Sequence, residues 1–479
     1  MAQQKRELFN KPQKQFASSI WVRLTSGLLL GALLGGCGVE LPGLEPPTDT
    51  LYYPSSTTDL GNGELLIVNG NFDLRFKTAW LNVLDLNTAI QAGRDEAPIE
   101  PYLTGEELRI LSHPGRLSLL EGQVLLPHRG ANHRGEALVS SISIDQGSLL
   151  CGAVEPEISG EMTTLEKATG CDEAGLIRLM PDGSNEQDGA VLADESIFEG
   201  AFEGAFHAEQ FMWDHDDFEE TPKRRLAAVA FLNSNWLWLF ELLDDAWQPI
   251  MVTLLPSSAT GDVAFLEFNG KEKLLISGRG SSTTPGRFLL MDITDSMESG
   301  QYEGESFPFS DGLLARESVR VSVDSDVNHV LALSRNPDGI VSISLDSETR
   351  IEGDQFREVP SFDLVDFAAI EGRVLDMATH PVTDGSLVAV SSYGEDRLWV
   401  AHYQGGRFEV LWEWDFSKSD GYTRVQGPFG VTWVQSGDSL YLINTHFEAH
   451  AISIFDFTDW ESRRIDRVVK LYSERMTQR

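Results

Sequence analysis

Cysteine is scarce in this chain: 479 residues hold three, Cys37, Cys151 and Cys171. Two or three cysteines alone do not make a zinc site, which takes four ligands of cysteine or histidine type. Lysine is rare too, with only seven beyond residue 36. No apolar run is long enough to cross a bilayer, because the longest stretch, from Leu24 to Gly36, is about 13 residues against the roughly 20 a span needs. Catalytic signatures are missing: there is no Gly-x-Ser-x-Gly elbow, no phosphate-cradling glycine loop and no His-Glu-x-x-His helix. Long helical periodicity is scarce after residue 50. These absences exclude a helical membrane protein and give no motif-level reason to assign an activity.

What is present begins with the N-terminus. Lys5, Arg6, Lys11, Lys14 and Arg23 stand against a single acid, Glu7. The apolar run follows, then Leu34-Gly35-Gly36-Cys37. A basic region, a short apolar core and small residues before a cut site read as a secretory signal over residues 1–36. Residues 38–50, GVELPGLEPPTDT, contain three prolines and no apolar period, so 37–50 reads as a semi-extended tether. The remainder, 51–479, reads as the folded domain.

Charge is one-sided. The whole chain carries −37, and without residues 1–36 it keeps 32 basic and 73 acidic residues, a net −41. Such a surface repels nucleic acid and anionic lipid. With Cys37 set aside, Cys151 and Cys171 form an even pair in an oxidising compartment, and a disulfide between them is expected. It would close a loop of about 21 residues and stabilise by roughly 3 kcal/mol on the chain-entropy view.

The domain is a repeat. A short apolar strand, a polar loop and a second strand often ending in an acid recur seven times. The pairs are Leu65–Val68 with Trp80–Leu86, Val124–Leu126 with Ala137–Asp145, Leu226–Phe231 with Trp236–Glu241, and Leu274–Ile276 with Arg287–Asp292. Val330–Leu333 with Ile340–Asp346, Leu387–Val390 with Arg397–Tyr403, and Leu440–Ile443 with Ala451–Asp456 complete the set. The loop starts are 60, 104, 46, 56, 57 and 52 residues apart. That is a period near 50 with one insertion, placed at about 146–205 around the cysteine pair. Upstream hairpin signals such as Asn269-Gly270 supply a further strand per repeat. The expected fold is therefore all-β: a propeller of seven blades, each of four antiparallel strands, with a disulfide-stapled insertion.

Two resemblances add to this. Leu34-Gly35-Gly36-Cys37 resembles the bacterial lipobox, which implies lipidation of Cys37 after cleavage and a cell-envelope location. Gly38 in place of an aspartate implies the outer membrane, on its periplasmic face or surface. Leu66-Ile67-Val68-Asn69 and Tyr441-Leu442-Ile443-Asn444, with the downstream strands to Asp85 and Asp456, resemble the YVTN-type β-propeller repeat, although the four-letter signature never occurs intact. That resemblance implies an extracytoplasmic seven-bladed propeller and no fixed activity.

Candidate sites follow from the blade alignment. The loops between second and third strands would share one face and carry Arg129, Arg279 and Arg335, with Arg75 and Arg134 nearby. Guanidinium forks hold carboxylate or phosphate, so these arginines are the candidate anion site. His128 and His133, and His446 and His450, are close in sequence but read as surface or hydrogen-bonded loop residues. The run Asp214–Glu220, and Asn71 with Asp73, offer oxygens of the kind calcium takes, without EF-hand spacing. No cofactor is identified beyond that calcium option. The leading expectation is a membrane-anchored binding or scaffold protein whose partner is a protein, polysaccharide or small anion. The alternative is a lactonase-like or other metal-dependent hydrolase using the propeller channel.

Overall fold

The computed structural model describes residues 44–93, 96–128, 137–145, 148–151, 170–171, 176–179, 205–213, 224–231, 236–243, 246–256, 260–278, 286–308, 317–324, 329–352, 355–419 and 426–474. Residues from Glu45 onward form one compact unit. Cys37 and the segment before it lie outside the described residues, as does the Asp214–Glu220 run.

Seven sheets follow one another along the chain, each an antiparallel meander of four strands. The innermost strands of blades 1 to 7 are Pro54–Asp59, Ser118–Leu120, Ala205–Trp213, Thr260–Phe268, Glu317–Asp324, Val374–Val382 and Pro428–Ser436. The second and third strands coincide with the sequence pairs. In blade 4 they are Lys271–Gly278 and Arg287–Asp292, and in blade 7 Ser439–His446 and Ala451–Asp456. The Asn269-Gly270 turn has φ of 54° and 68°, the left-handed pair that a two-residue hairpin turn needs.

Continuous apolar runs, rather than alternating ones, mark the second strands because both faces are buried. Leu65 and Ile67 pack with Ile443 and Ile454 of blade 7, whereas Leu66 and Val68 pack with Val124 and Leu126 of blade 2. Leu387 and Ala389 pack against blade 7, and Val388 and Val390 against blade 5. Each blade thus buries one side against each neighbour.

Edges are managed by borrowed strands. The insertion after residue 146 contributes to two blades. Ser148–Cys151 and Leu176–Leu179 share the outer edge of blade 2, both pairing with Ala137–Asp145. Gly170–Cys171 pairs in parallel with Arg109 and Ile110 at the outer edge of blade 1. The ring closes in a related way. The last strand, Asp466–Tyr472, accepts Glu96–Pro98 from blade 1 as a parallel fifth strand. Beside it Thr50 bonds Ser473 at 2.5 Å and Glu100 at 3.0 Å. Such parallel additions cover the exposed N–H and C=O groups of an edge strand.

One buried acid departs from this economy. Glu272, in the second strand of blade 4, is 6 % exposed, and neither carboxyl oxygen has a hydrogen-bond partner. Burial raises its pKa to about 8; Arg224 opposes the rise and Glu267, its cross-strand neighbour, adds to it. The acid is therefore mostly neutral at pH 7 in the folded state and ionised in the unfolded one. A raised folded pKa makes the wild type lose stability as pH rises from about 4.5 to about 8. Glu272→Gln should show no such loss, so its melting temperature should gain on the wild type across that window and level off above it. A gap constant from pH 5 to pH 9 would contradict this.

Candidate functional site

The innermost strands begin irregularly, and the irregularity builds the site. In blades 1, 3, 4, 5 and 6 the pairing of first and second strands shifts by one residue, at Ser55, Phe206, Gly261, Val319 and Leu375. Blade 7 shifts over Phe429 and Gly430. A bulge leaves backbone groups unpaired and re-aims the side chain that follows it. Small hydroxyls opposite the bulges satisfy those groups. Ser277 bonds the Asp262 carbonyl at 3.2 Å, Ser391 accepts from the Asp376 N–H at 3.1 Å, and Thr445 accepts from the Gly430 N–H at 2.7 Å. At Gly261 an added Cβ would lie 2.0 Å from the Ser318 carbonyl oxygen, so only glycine lets these two inner strands approach.

The residues that follow the bulges in blades 4, 5 and 6 are Asp262, Arg320 and Asp376, all buried. They stitch each blade to the next. Asp262 accepts the Val321 N–H of blade 5 at 2.8 Å, Arg320 Nε donates to Asp376 of blade 6 at 2.6 Å, and Asp376 accepts the Val431 N–H of blade 7 at 3.0 Å. Arg116, just before the innermost strand of blade 2, reaches the same Asp376 oxygen at 3.7 Å. Blades 2 and 6 are not neighbours in the ring, so this pair bridges the axis. The two guanidiniums and the carboxylate therefore form one charged cluster at the axis. Burial alone would raise the Asp376 pKa, but the charges of Arg116 and Arg320, with the bonds from Arg320 and Val431, hold it below the usual carboxylate range.

Of the arginines singled out in the sequence, Arg335 stands beside this cluster, its Nε donating to the Val374 carbonyl at 2.8 Å. Arg75 lies 5.7 Å from the Phe76 ring centroid, near blade 1 rather than the axis. Arg129, Arg134 and Arg279 lie outside the described residues. The arginines that meet at the axis, Arg116 and Arg320, were not among the sequence candidates. Their signal was available: Arg116 lies just before one innermost strand and Arg320 in the first half of another, and the hydroxyl residues that mark the bulges recur at the ends of the second strands.

The histidines correct one expectation. His128 and His446 are strand residues and fully buried, not loop positions, and each ring meets a serine of the third strand, Ser140 at 2.7 Å and Ser453 at 2.8 Å. Burial lowers the His128 pKa to about 3. His450 accepts the Tyr53 N–H through Nδ1 at 3.0 Å, and burial lowers its pKa to about 4. His133 lies outside the described residues. Asn71 is occupied, bonding both backbone groups of Phe76 in its own loop and Ser112 Oγ in the connection before blade 2. Asp73 accepts the Tyr52 hydroxyl at 2.5 Å. Among the described residues no group of three or more His, Cys, Asp or Glu side chains is arranged to hold a metal ion.

An aromatic arc crosses blades 7, 1 and 2. Phe429 stacks on Phe447 at 5.0 Å, Phe447 meets Phe72 at 4.9 Å and Tyr53 at 4.7 Å, and Phe72 meets His113 at 5.5 Å. These five side chains are half-buried. Several residues holding the arc are left-handed without being glycine: Tyr53, Asn71, Leu74, His113 and His450 have φ between 46° and 56°. Such backbone is costly and gathers where surrounding structure imposes it, often at ligand sites.

The sequence matches no protein-family profile and no curated protein. Solved structures with a similar course include a periplasmic gluconolactonase of Pseudomonas aeruginosa, at 12% identity over 76% of this chain and 85% of that one, TM-score 0.46. A putative 6-phosphogluconolactonase of Bacteroides fragilis matches at 10% identity over 87% and 97%, TM-score 0.47. The hydrazine synthase of Kuenenia stuttgartiensis matches at 12% identity over 87% and 98%, TM-score 0.46. These likenesses are too distant to carry an argument about activity.

Asp376 is the test of this geometry. Asp376→Asn keeps the size but leaves two guanidinium charges facing a neutral group. We expect a loss of about 3–5 kcal/mol near pH 7, the range for breaking a buried pair. Because the folded pKa is depressed, the wild type loses this contribution as pH falls through and below the usual carboxylate range, and the two proteins should converge there. Denaturant midpoints at pH 7 and pH 3 measure it; equal midpoints at pH 7 would overturn the assignment.

Proposed function

We propose that this protein is a cell-envelope binding propeller whose axial arginines take a small organic anion. The observation that supports it most is the meeting of Arg116 and Arg320 on Asp376 across the axis, with the Arg116 side chain still 29% exposed. A guanidinium held by a carboxylate keeps its planar fork in place for a second anion. A ligand at 100 times its dissociation constant adds about 2.7 kcal/mol of stability. In a thermal-shift screen of the purified protein against acetate, citrate and phosphate, at least one anion should raise the melting temperature, and Arg116→Gln should abolish that rise. No response to any anion, or an undiminished one in the variant, would sink the reading. Turnover of an added lactone in the same screen would instead favour the hydrolase alternative.

The location rests on the N-terminal sequence. We propose cleavage before Cys37, lipidation of its thiol and new amine, and anchoring in the outer membrane, the acyl chains supplying the apolar burial that holds a lipoprotein. The Cys151–Cys171 disulfide belongs to the same proposal, since it requires an oxidising compartment; the side chain of Cys171 lies outside those described. Cys37→Ala should move the protein from the membrane to the soluble fraction. Mass spectrometry of the unreduced wild type should find an acylated Cys37 peptide and a linked Cys151–Cys171 pair. A membrane-bound Cys37→Ala protein, or separate free-thiol peptides, would refute the anchor or the disulfide respectively.

A further inference from the structure

We infer that the ligand at the axis is a ring-bearing carboxylic acid, its carboxylate at Arg116 and its ring against the aromatic arc of blades 7, 1 and 2. This rests on the anion reading above and names the ligand class. Hydrogen bonds and chain connectivity tie the arc to the axial charged cluster. At one end, Phe429 lies two residues before Val431, whose N–H bonds Asp376, and the Phe429 carbonyl accepts from Ser391 at 2.5 Å. Ser391 in turn accepts the Asp376 N–H. At the other end, His113 lies three residues before Arg116, and its Nε2 is 3.2 Å from the Phe72 carbonyl oxygen. The arc therefore starts beside Asp376 and finishes beside Arg116, the two residues whose side chains meet across the axis.

The chemistry of the two parts selects the ligand. Half-buried phenyl rings in an unbroken row offer edges and faces to a flat ring or to the C–H face of a cyclic sugar. The anionic group is better a carboxylate than a phosphate. Arg116, Arg320 and Asp376 together carry a net charge of +1, which one carboxylate neutralises and a dianion would overshoot. The chain as a whole carries −37, which also disfavours a dianion. The left-handed residues Tyr53, Leu74 and His113 lie in the loops beside the arc, where such backbone persists only when surrounding contacts impose it.

Calorimetric titration of the full-length protein tests this with 4-hydroxybenzoate, galacturonate, acetate, and the uncharged phenol and galactose. At least one ring acid should bind about tenfold or more tightly than acetate, and the uncharged rings should bind more weakly than their acids. Phe72→Ala and Phe447→Ala should bring the ring acid down to the affinity of acetate and leave acetate itself unchanged. Retained acetate binding certifies the fold, and Phe72→Leu, which removes the ring but keeps an apolar side chain, serves if the alanine variants do not fold. Arg116→Gln should weaken every acid. Whether 4-hydroxybenzoate or galacturonate binds decides between an aromatic and a sugar acid. Acetate binding as tightly as both ring acids would overturn the inference while the anion reading stands. Uncharged rings binding as tightly as their acids would overturn both, as would silence from every probe.

Discussion

A carboxylate buried at the axis organises this propeller. Asp376 takes a guanidinium from blade 5, a backbone N–H from blade 7 and a second guanidinium from blade 2. A buried charge is tolerable only when such partners replace the water it has lost. Because those partners come from different blades, satisfying one side chain fixes the relative positions of four sheets. Asp262 repeats part of the arrangement one junction earlier, accepting the Val321 N–H. Both depend on the bulges at the start of the innermost strands, since without the one-residue shift these side chains would point into the blade.

The junction between blades 7 and 1 works differently. No axial carboxylate joins these blades among the described residues. Thr432 and Thr57 bond there at 2.8 and 2.9 Å, Glu96–Pro98 clasps the last strand, and a large apolar cluster runs from Leu51 to Leu471. Each blade is built from consecutive strands, so the ring must be shut by contacts between chain ends rather than by a strand shared within one blade. The aromatic arc lies on this junction. The arc and the closure of the ring therefore share Tyr53, whose N–H bonds His450 and whose ring meets it, so the loops there are held from both blades.

Much of the architecture was legible in the order of residues. The apolar runs of the second strands, their period and the Asn-Gly turn gave seven blades with strand limits close to those observed, because each of these features is local. The amount of edge covering was not legible. Gly170–Cys171 and Glu96–Pro98 are short and lack any strand pattern, and they pair only because an unfilled edge lies beside them. The histidines were misplaced for a related reason: at the end of a second strand, burial by the neighbouring blades outweighs the loop-like composition around them.

The sequence by itself determined the class of fold, the number of blades and the sign of the surface, since burial of both faces of a strand and the balance of acids and bases are written residue by residue. Only the tertiary structure decided which charged groups meet. Arg116, Arg320 and Asp376 are separated by 204 and 56 residues, and nothing in their local sequence says that they converge. Ring closure brings them together, and the bulges, whose one-residue offset exists only in the pairing of two strands, turn them toward the axis.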